Sequence, residues 1–108
     1  MATSFTNAVA NGVGTTEQLV YTPPASTKSI IIGCNIANNT PYDLPVSLYL
    51  RKSGNDVYIV KNARIPPGGN IEVMRGNKLV MTASDSVYAI SGIALGSDVI
   101  ASVLEGVS

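Results

Sequence analysis

Val46-Ser47-Leu48-Tyr49-Leu50-Arg51-Lys52 runs into Ser53-Gly54 and on into Asn55-Asp56-Val57-Tyr58-Ile59-Val60-Lys61. Folding the second run back on the first through Ser53-Gly54 sets Leu50 against Val57 and Leu48 against Ile59. The opposite face then pairs Tyr49 with Tyr58 and Arg51 with Asp56. Apolar meets apolar on one side, and an aromatic pair and a charge pair share the other. Because successive side chains on a strand point to opposite faces, a slip of one residue destroys both matches. The stretch predicts an antiparallel hairpin with one buried face.

Outward from this hairpin the pattern stays β. Strand-like runs rich in Val, Ile and Tyr occupy Glu17–Thr22, Lys28–Asn38, Asn70–Arg75, Lys78–Thr82, Ser86–Leu95 and Asp98–Glu105. Between them stand breakers such as Pro23-Pro24, Asn39-Thr40-Pro41, Pro66-Pro67-Gly68-Gly69 and Gly96-Ser97. Short strands separated by regular turn signals predict a sandwich or barrel, and no window carries a capped helical period. The fold class expected is all-β: a single β-sandwich, jelly-roll or Ig-like, of about eight antiparallel strands. Residues 17–108 form that domain. Residues 1–16, mostly Ala, Thr, Ser, Asn and Gly with Phe5, Val9 and Val13 as apolar anchors, read as an extended N-terminal arm.

The end of the chain has a second peculiarity. Folding Ser86–Leu95 onto Asp98–Glu105 through Gly96-Ser97 puts Val87, Ala89, Ile93, Leu95, Ile100 and Leu104 on one face. The other carries Tyr88, Ile90, Ala94, Val99, Ala101 and Val103, so neither face is polar. A sandwich strand ordinarily turns one face to the core and the other to water. One face is therefore expected to meet a neighbouring subunit, with Phe5 and Val9 of the arm and Tyr88, Ile90, Val99 and Val103 as candidate interface residues. Shielding by the domain's own loops is the other reading.

Composition narrows the function. The 108 residues carry seven Lys plus Arg and seven Asp plus Glu, so nothing favours nucleic acid or an anionic membrane. Charged residues make up 13%, about half the ~25% usual for a soluble domain, and a chain with no net charge tends to self-associate. There is no histidine and one cysteine, which excludes His/Cys zinc sites, Ser-His or Cys-His catalytic pairs and an intrachain disulfide. Cys34 shares strand parity with Ile30, Ile32 and Ile36 and reads as a small buried side chain.

No two carboxylates lie within four residues of each other, and Asp85 resembles a turn residue at a strand entry. Pro66-Pro67-Gly68-Gly69-Asn70 lacks the Lys and following helix of a phosphate loop. Asn38-Asn39-Thr40 matches a glycosylation acceptor, meaningful only on a secretory route, and no secretory signal or ~20-residue apolar span is visible. No segment concentrates acids as a calcium loop does. The expectation is a non-enzymatic protein with no cofactor and no metal. Tyr49 and Tyr58 form a possible ligand face, on which sugars stack against aromatic rings.

The order of motifs carries a resemblance. Leu19-Val20-Tyr21-Thr22-Pro23-Pro24 opens into Ser29-Ile30-Ile31-Ile32-Gly33-Cys34-Asn35-Ile36-Ala37-Asn38. Then come Val46-x-Leu48-x-Leu50, Tyr58-Ile59-Val60-Lys61-Asn62-Ala63-Arg64-Ile65-Pro66-Pro67-Gly68 and Lys78-Leu79-Val80-Met81. A Ser84-Asp85-Ser86-Val87 turn and the ending Ala101-Ser102-Val103-Leu104-Glu105 complete the series. Over residues 17–106 this order resembles small tailed-bacteriophage virion proteins of tail, neck and capsid-accessory type. Many of those have Gly-Asp where this chain has Ser84-Asp85. The resemblance implies a β-sandwich building block without a shared catalytic motif. It implies a homo-oligomer that contacts other virion structural proteins, made in the host cytoplasm and residing in the virion. A tail, neck or baseplate accessory position is expected. Capsid decoration (cement) and a host-receptor or glycan-binding module are the alternatives.

Overall fold

The computed structural model describes residues 3–107. Strands β1 (Ser4–Val13), β2 (Gln18–Tyr21), β3 (Lys28–Asn38), β4 (Leu44–Lys52) and β5 (Asn55–Ile65) lead the chain. They are followed by β6 (Asn70–Glu72), β7 (Leu79–Met81), β8 (Ser86–Ser91) and β9 (Ser97–Val107). No helix occurs among the described residues. One sheet has the order β1-β9-β3-β6, with β7 also on β3, and the other has the order β2-β8-β4-β5. All pairings are antiparallel. The chain switches sheets after β1, β2, β3, β5, β7 and β8, so each sheet interleaves strands distant in sequence. With β6 and β7 as two pieces of one edge position, this is the eight-position double Greek key of a jelly roll.

Alternation explains the core. On β3, Ser29 and Ile31 point inward, and a bulge between Ile31 and Gly33 resets the phase so that Cys34, Ile36 and Asn38 also point inward. Cys34 therefore shares its face with Ile31 and Ile36, rather than with Ile30 and Ile32 as simple parity predicts. Ile31 and Ile36 meet Val99, Ala101 and Val103 of β9 on the inner face of the five-stranded sheet, opposite Val46, Leu48, Val87 and Ala89 of the other. Ile65 and Met81, both fully buried, also fill this core.

The hairpin read from sequence is present, with Arg51 opposite Asp56, Leu50 opposite Val57 and Tyr49 opposite Tyr58. A register shift then places Leu48 opposite Val60, one residue beyond the expected Ile59. A second shift, between Val46 and Leu48, releases the Asn62 N–H, which donates to Ser47 Oγ at 2.9 Å while Asn62 sits at φ 53°.

Two expectations change. The segment read as an arm is strand β1, paired with β9 from Ser4–Glu105 to Val13–Ser97. Its inward side chains, Ala8, Ala10 and Val13, are small enough to lie close to the core, so the strand carries little of the hydrophobic signal that marks the others. The terminal hairpin does not form either, because β8 belongs to the four-stranded sheet and β9 to the five-stranded one. The chain leaves β8 at Ser91 and crosses between sheets. In the crossing, Leu95 takes φ 55° and Gly96 N–H donates to Val13 O at 2.9 Å and Ile93 O at 3.0 Å. Each strand gives one apolar set to the shared core, Val87 and Ala89 from β8 and Val99, Ala101 and Val103 from β9, and turns the other set outward.

Candidate interaction faces

On the outer face of the five-stranded sheet, cross-strand registers line up apolar side chains. Phe5 of β1 stands opposite Leu104 of β9, Leu104 opposite Ile30 of β3, and Ile30 opposite Val80 of β7. Two rungs along, Val9 stands opposite Ile100 and Ile100 opposite Asn35. Between these rows lies a waist of small polar groups, Asn7–Ser102–Gly33, with bulged Ile32 beside it. Phe5 is 79% exposed, Val9 65%, Val80 64% and Ile100 50%. A shallow depression of about 320 Å³ opens at the waist, lined by Phe5, Asn7, Ile32 and Ser102 among others. A second, of about 220 Å³, lies by Val9, Asp98 and Ile100.

Asp98 and Lys28 lie toward the ends of this face, whereas the Glu72 carboxylate reaches over Gly33 beside the waist, 3.7 Å from where a Cβ would stand there. Glu72 turns its carboxylate onto the backbone, accepting from Cys34 N–H at 3.1 and 3.2 Å and Met74 N–H at 2.9 Å. Asp98 accepts from the Gly12 N–H at 2.8 Å, within the β1 bulge where Gly12 has φ 64°. Exposed Lys28 stands at the opposite end of β3.

The outer face of the four-stranded sheet is a tyrosine ladder: Leu19, Tyr88, Tyr49 and Tyr58 are aligned across β2, β8, β4 and β5. The Tyr49 ring lies 5.0 Å from that of Tyr58 and 5.9 Å from that of Tyr88. The Arg51 guanidinium sits 4.5 Å from the Tyr88 centroid, and Lys61 Nζ sits 4.8 Å from that of Tyr58. Arg51 also binds Asp56 at 2.7 Å and Glu17 at 2.9 Å, and the Tyr49 hydroxyl donates to Glu17. Arg51, then Tyr49, hold the Glu17 carboxyl below its ordinary value, while burial and Glu17 push the Tyr49 phenol up. Tyr49 is 4% exposed, so its ring is a packed part of the face, unavailable for stacking a sugar; Tyr58 alone offers an open ring.

The remaining polar groups stitch the sandwich together. Tyr21 donates to Glu105 at 2.5 Å and pairs with Ser29 Oγ at 2.8 Å, joining the two sheets; burial, then Glu105, pushes its phenol up to about 12. Buried Asp85 accepts from Lys52 Nζ at 3.0 Å and the Thr82 N–H at 3.0 Å, closing the turn before β8. Burial alone would raise its pKa, but the Thr82 N–H and Lys52 outweigh that and hold it below the ordinary value. Asn38 Nδ2 donates into the carbonyls of Tyr42, Ile65 and Pro66, and its side chain is buried, which leaves no amide free to carry a glycan. The Cys34 thiol is buried and pushed up to about 12, first by burial and then by Glu72. Among the described residues, no group of three or more His, Cys, Asp or Glu is placed to hold a metal.

The six candidate interface residues therefore do not form one patch. Phe5 and Val9 lie on the outer face of the five-stranded sheet, and Tyr88 and Ile90 are half-buried on the outer face of the other. Val99 and Val103 are core residues at 1% exposure and cannot contact a neighbour. Sequence reasoning missed Ile30, Ile32, Val80, Ile100 and Leu104 as an outward set. The signal was present in Ile30-Ile31-Ile32, because three consecutive large side chains on one strand cannot all point inward.

No family model matches the sequence, and no curated protein matches it. Among solved structures, the chain is similar to one from Bacillus endospore appendages, described as disulfide-linked pili, with TM-score 0.58 and 10% identity over 97% of this chain and 86% of that one. It is similar to a chain of the T13 IBDV viral particle, with TM-score 0.56 and 7% identity, covering 95% of this chain and 30% of that longer one. It is also similar to the nucleoplasmin-like N-terminal domain of Drosophila FKBP39, with TM-score 0.52 and 13% identity over 98% and 92% of the two chains. At these identities the likeness defines the fold, a jelly-roll-like β-sandwich, and the class of protein stops there.

Proposed function

We propose that this chain is a non-enzymatic structural subunit of a bacteriophage virion, an accessory of the tail, neck or baseplate that works by protein–protein contact. The observation that carries the reading is the outer face of the five-stranded sheet. Apolar rows this exposed mark a surface meant to be covered, because a contiguous apolar patch in water is unfavourable and prone to association. Glu17, Asp56, Glu72, Asp85, Asp98 and Glu105 all bind groups of the fold itself, which supports the absence of acid–base chemistry. Two of the structures sharing the fold come from assemblies, a pilus and a viral particle. The likeness to a chain of the viral particle favours capsid decoration as the second reading. In either position the chain is made in the host cytoplasm and its partners are other virion structural proteins. The test is recovery of the chain in purified, nuclease-treated particles. A fixed copy number per particle supports the reading, and a chain left wholly in the unassembled fraction refutes it.

A further inference from the structure

We propose that the outer face of the five-stranded sheet is covered by a second copy of this chain, related by a two-fold axis along the waist Asn7–Ser102–Gly33. The inference deepens the assembly reading and rests on it. Four strand positions about 4.8 Å apart, over some nine residues of about 3.3 Å each, give a footprint of roughly 500 Å². With the added roughness of its side chains this face approaches the ~800 Å² per partner typical of a stable interface.

The pattern on the face selects an identical partner. A two-fold axis lying between two packed sheets and running across their strands turns each face end for end. The row before the waist in one copy then meets the row after it in the other. Leu104 faces Ile100 of the second copy and Phe5 faces its Val9, and both contacts recur by symmetry, as an isologous interface requires. Small polar Asn7 and Ser102 meet their own counterparts on the axis, where bulk would hold the sheets apart.

The charges agree with this arrangement. Lys28 lies as many rungs before the waist as Asp98, opposite Ala37, lies after it, so the rotation brings the basic end of one face onto the acidic end of the other. Glu72 stands opposite Asn35 in the second row, so the rotation sets it at the Val80 edge of the other copy; its carboxylate is tied down over Gly33 by the Cys34 and Met74 N–H groups. The β1 and β9 parts of the two rows, Phe5, Leu104, Val9 and Ile100, carry no ionic side chain, so a strongly charged partner finds no complementary field there.

A single cysteine at the axis reads this geometry, because native Cys34 is buried and inert. Full-length Ser102→Cys is treated with a short bis-maleimide whose reach matches the ~10 Å between packed sheets. Leu19→Cys, on the outer face of the other sheet, is the control. Thiols held across the axis have an effective concentration near millimolar, so at ~10 μM protein the Ser102→Cys chain should link to a doubled mass about 100-fold faster than the control. Adding Ile100→Glu, or separately Val9→Glu, should remove that advantage while far-UV circular dichroism stays unchanged, since both side chains point outward. Linking no faster than the control overturns the two-fold pairing, as does linking that survives both outward substitutions. Recovery of the chain in particles is a separate measurement, so loss of the pairing and loss of the virion reading are distinguishable.

Discussion

Replacing Asp85 with Asn removes one negative charge from a position 1% exposed while keeping its shape. The carboxylate accepts from Lys52 Nζ at 3.0 and 3.1 Å, the Thr82 N–H at 3.0 Å and the Thr82 hydroxyl at 3.3 Å. Both flanking groups are donors, so the amide nitrogen of Asn has to face one of them. Hydrogen bonds to a charged acceptor contribute about 1.5–3 kcal/mol, against about 0.5–1.5 kcal/mol for neutral ones. Lys52 is 54% exposed and turns to water when released, so its share falls to the ~0–1 kcal/mol of a surface pair. The expected loss is about 2 kcal/mol, or about 1 M in the urea midpoint at m near 2 kcal/mol per M. Because the folded pKa of Asp85 is lowered, its contribution is fully present above the unfolded value of about 3.9 and is lost as pH falls through the folded value. Urea titrations of both chains from pH 7 to pH 2 should therefore converge below pH ~3.9. Equal midpoints at pH 7, or a gap undiminished at pH 2, would refute the assignment of Asp85 as a buried anionic tie.

Three further outcomes follow from single features. Gly96→Ala places a Cβ 2.7 Å from the Ile93 carbonyl oxygen and 3.1 Å from Leu44 Cδ1, and thermal melting should report a loss of about 1–3 kcal/mol. Cys34 should resist maleimide in the native protein at pH 7 and react readily in urea; rapid native labelling would contradict its burial. Removing residues 1–16 takes away all of β1, the core side chains Ala10 and Val13, and the Val13 and Gly14 carbonyls that accept from Ser91 Oγ, so circular dichroism and melting should show a destabilised fold. A truncated chain as stable as the full one would restore the arm reading.

Alternation carried most of the fold. β3 was legible to its end residues, and the β4–β5 pairing was legible as far as Tyr49–Tyr58, because there large apolar side chains recur at period two between clear turn residues. Bulges ended that legibility. A single extra residue, as at Ile32 or between Leu48 and Tyr49, leaves the composition unchanged and reverses which side chains face the core. β1 was hidden for a different reason: its inward alanines and outward asparagines look like a loose lead-in, and its pairing lies with β9, some ninety residues away. The same non-locality defeated the terminal hairpin, since adjacent strands in sequence usually pair but a jelly roll sends β8 and β9 to opposite sheets. For the candidate site, Phe5 and Val9 were found as apolar residues in a polar stretch. Their neighbours Ile30, Val80, Ile100 and Leu104 could be grouped with them only once strand order was known, because no two of these six share a strand except the β1 and β9 pairs.

Sedimentation equilibrium of the full chain beside Ile100→Glu tests the covered-face account most directly. The chain mass is 11.2 kDa. The account predicts a wild-type mass of two chains or a higher multiple, falling to a single chain in the variant with its circular dichroism intact. A wild-type protein that stays at one chain mass across the full loading range would contradict it.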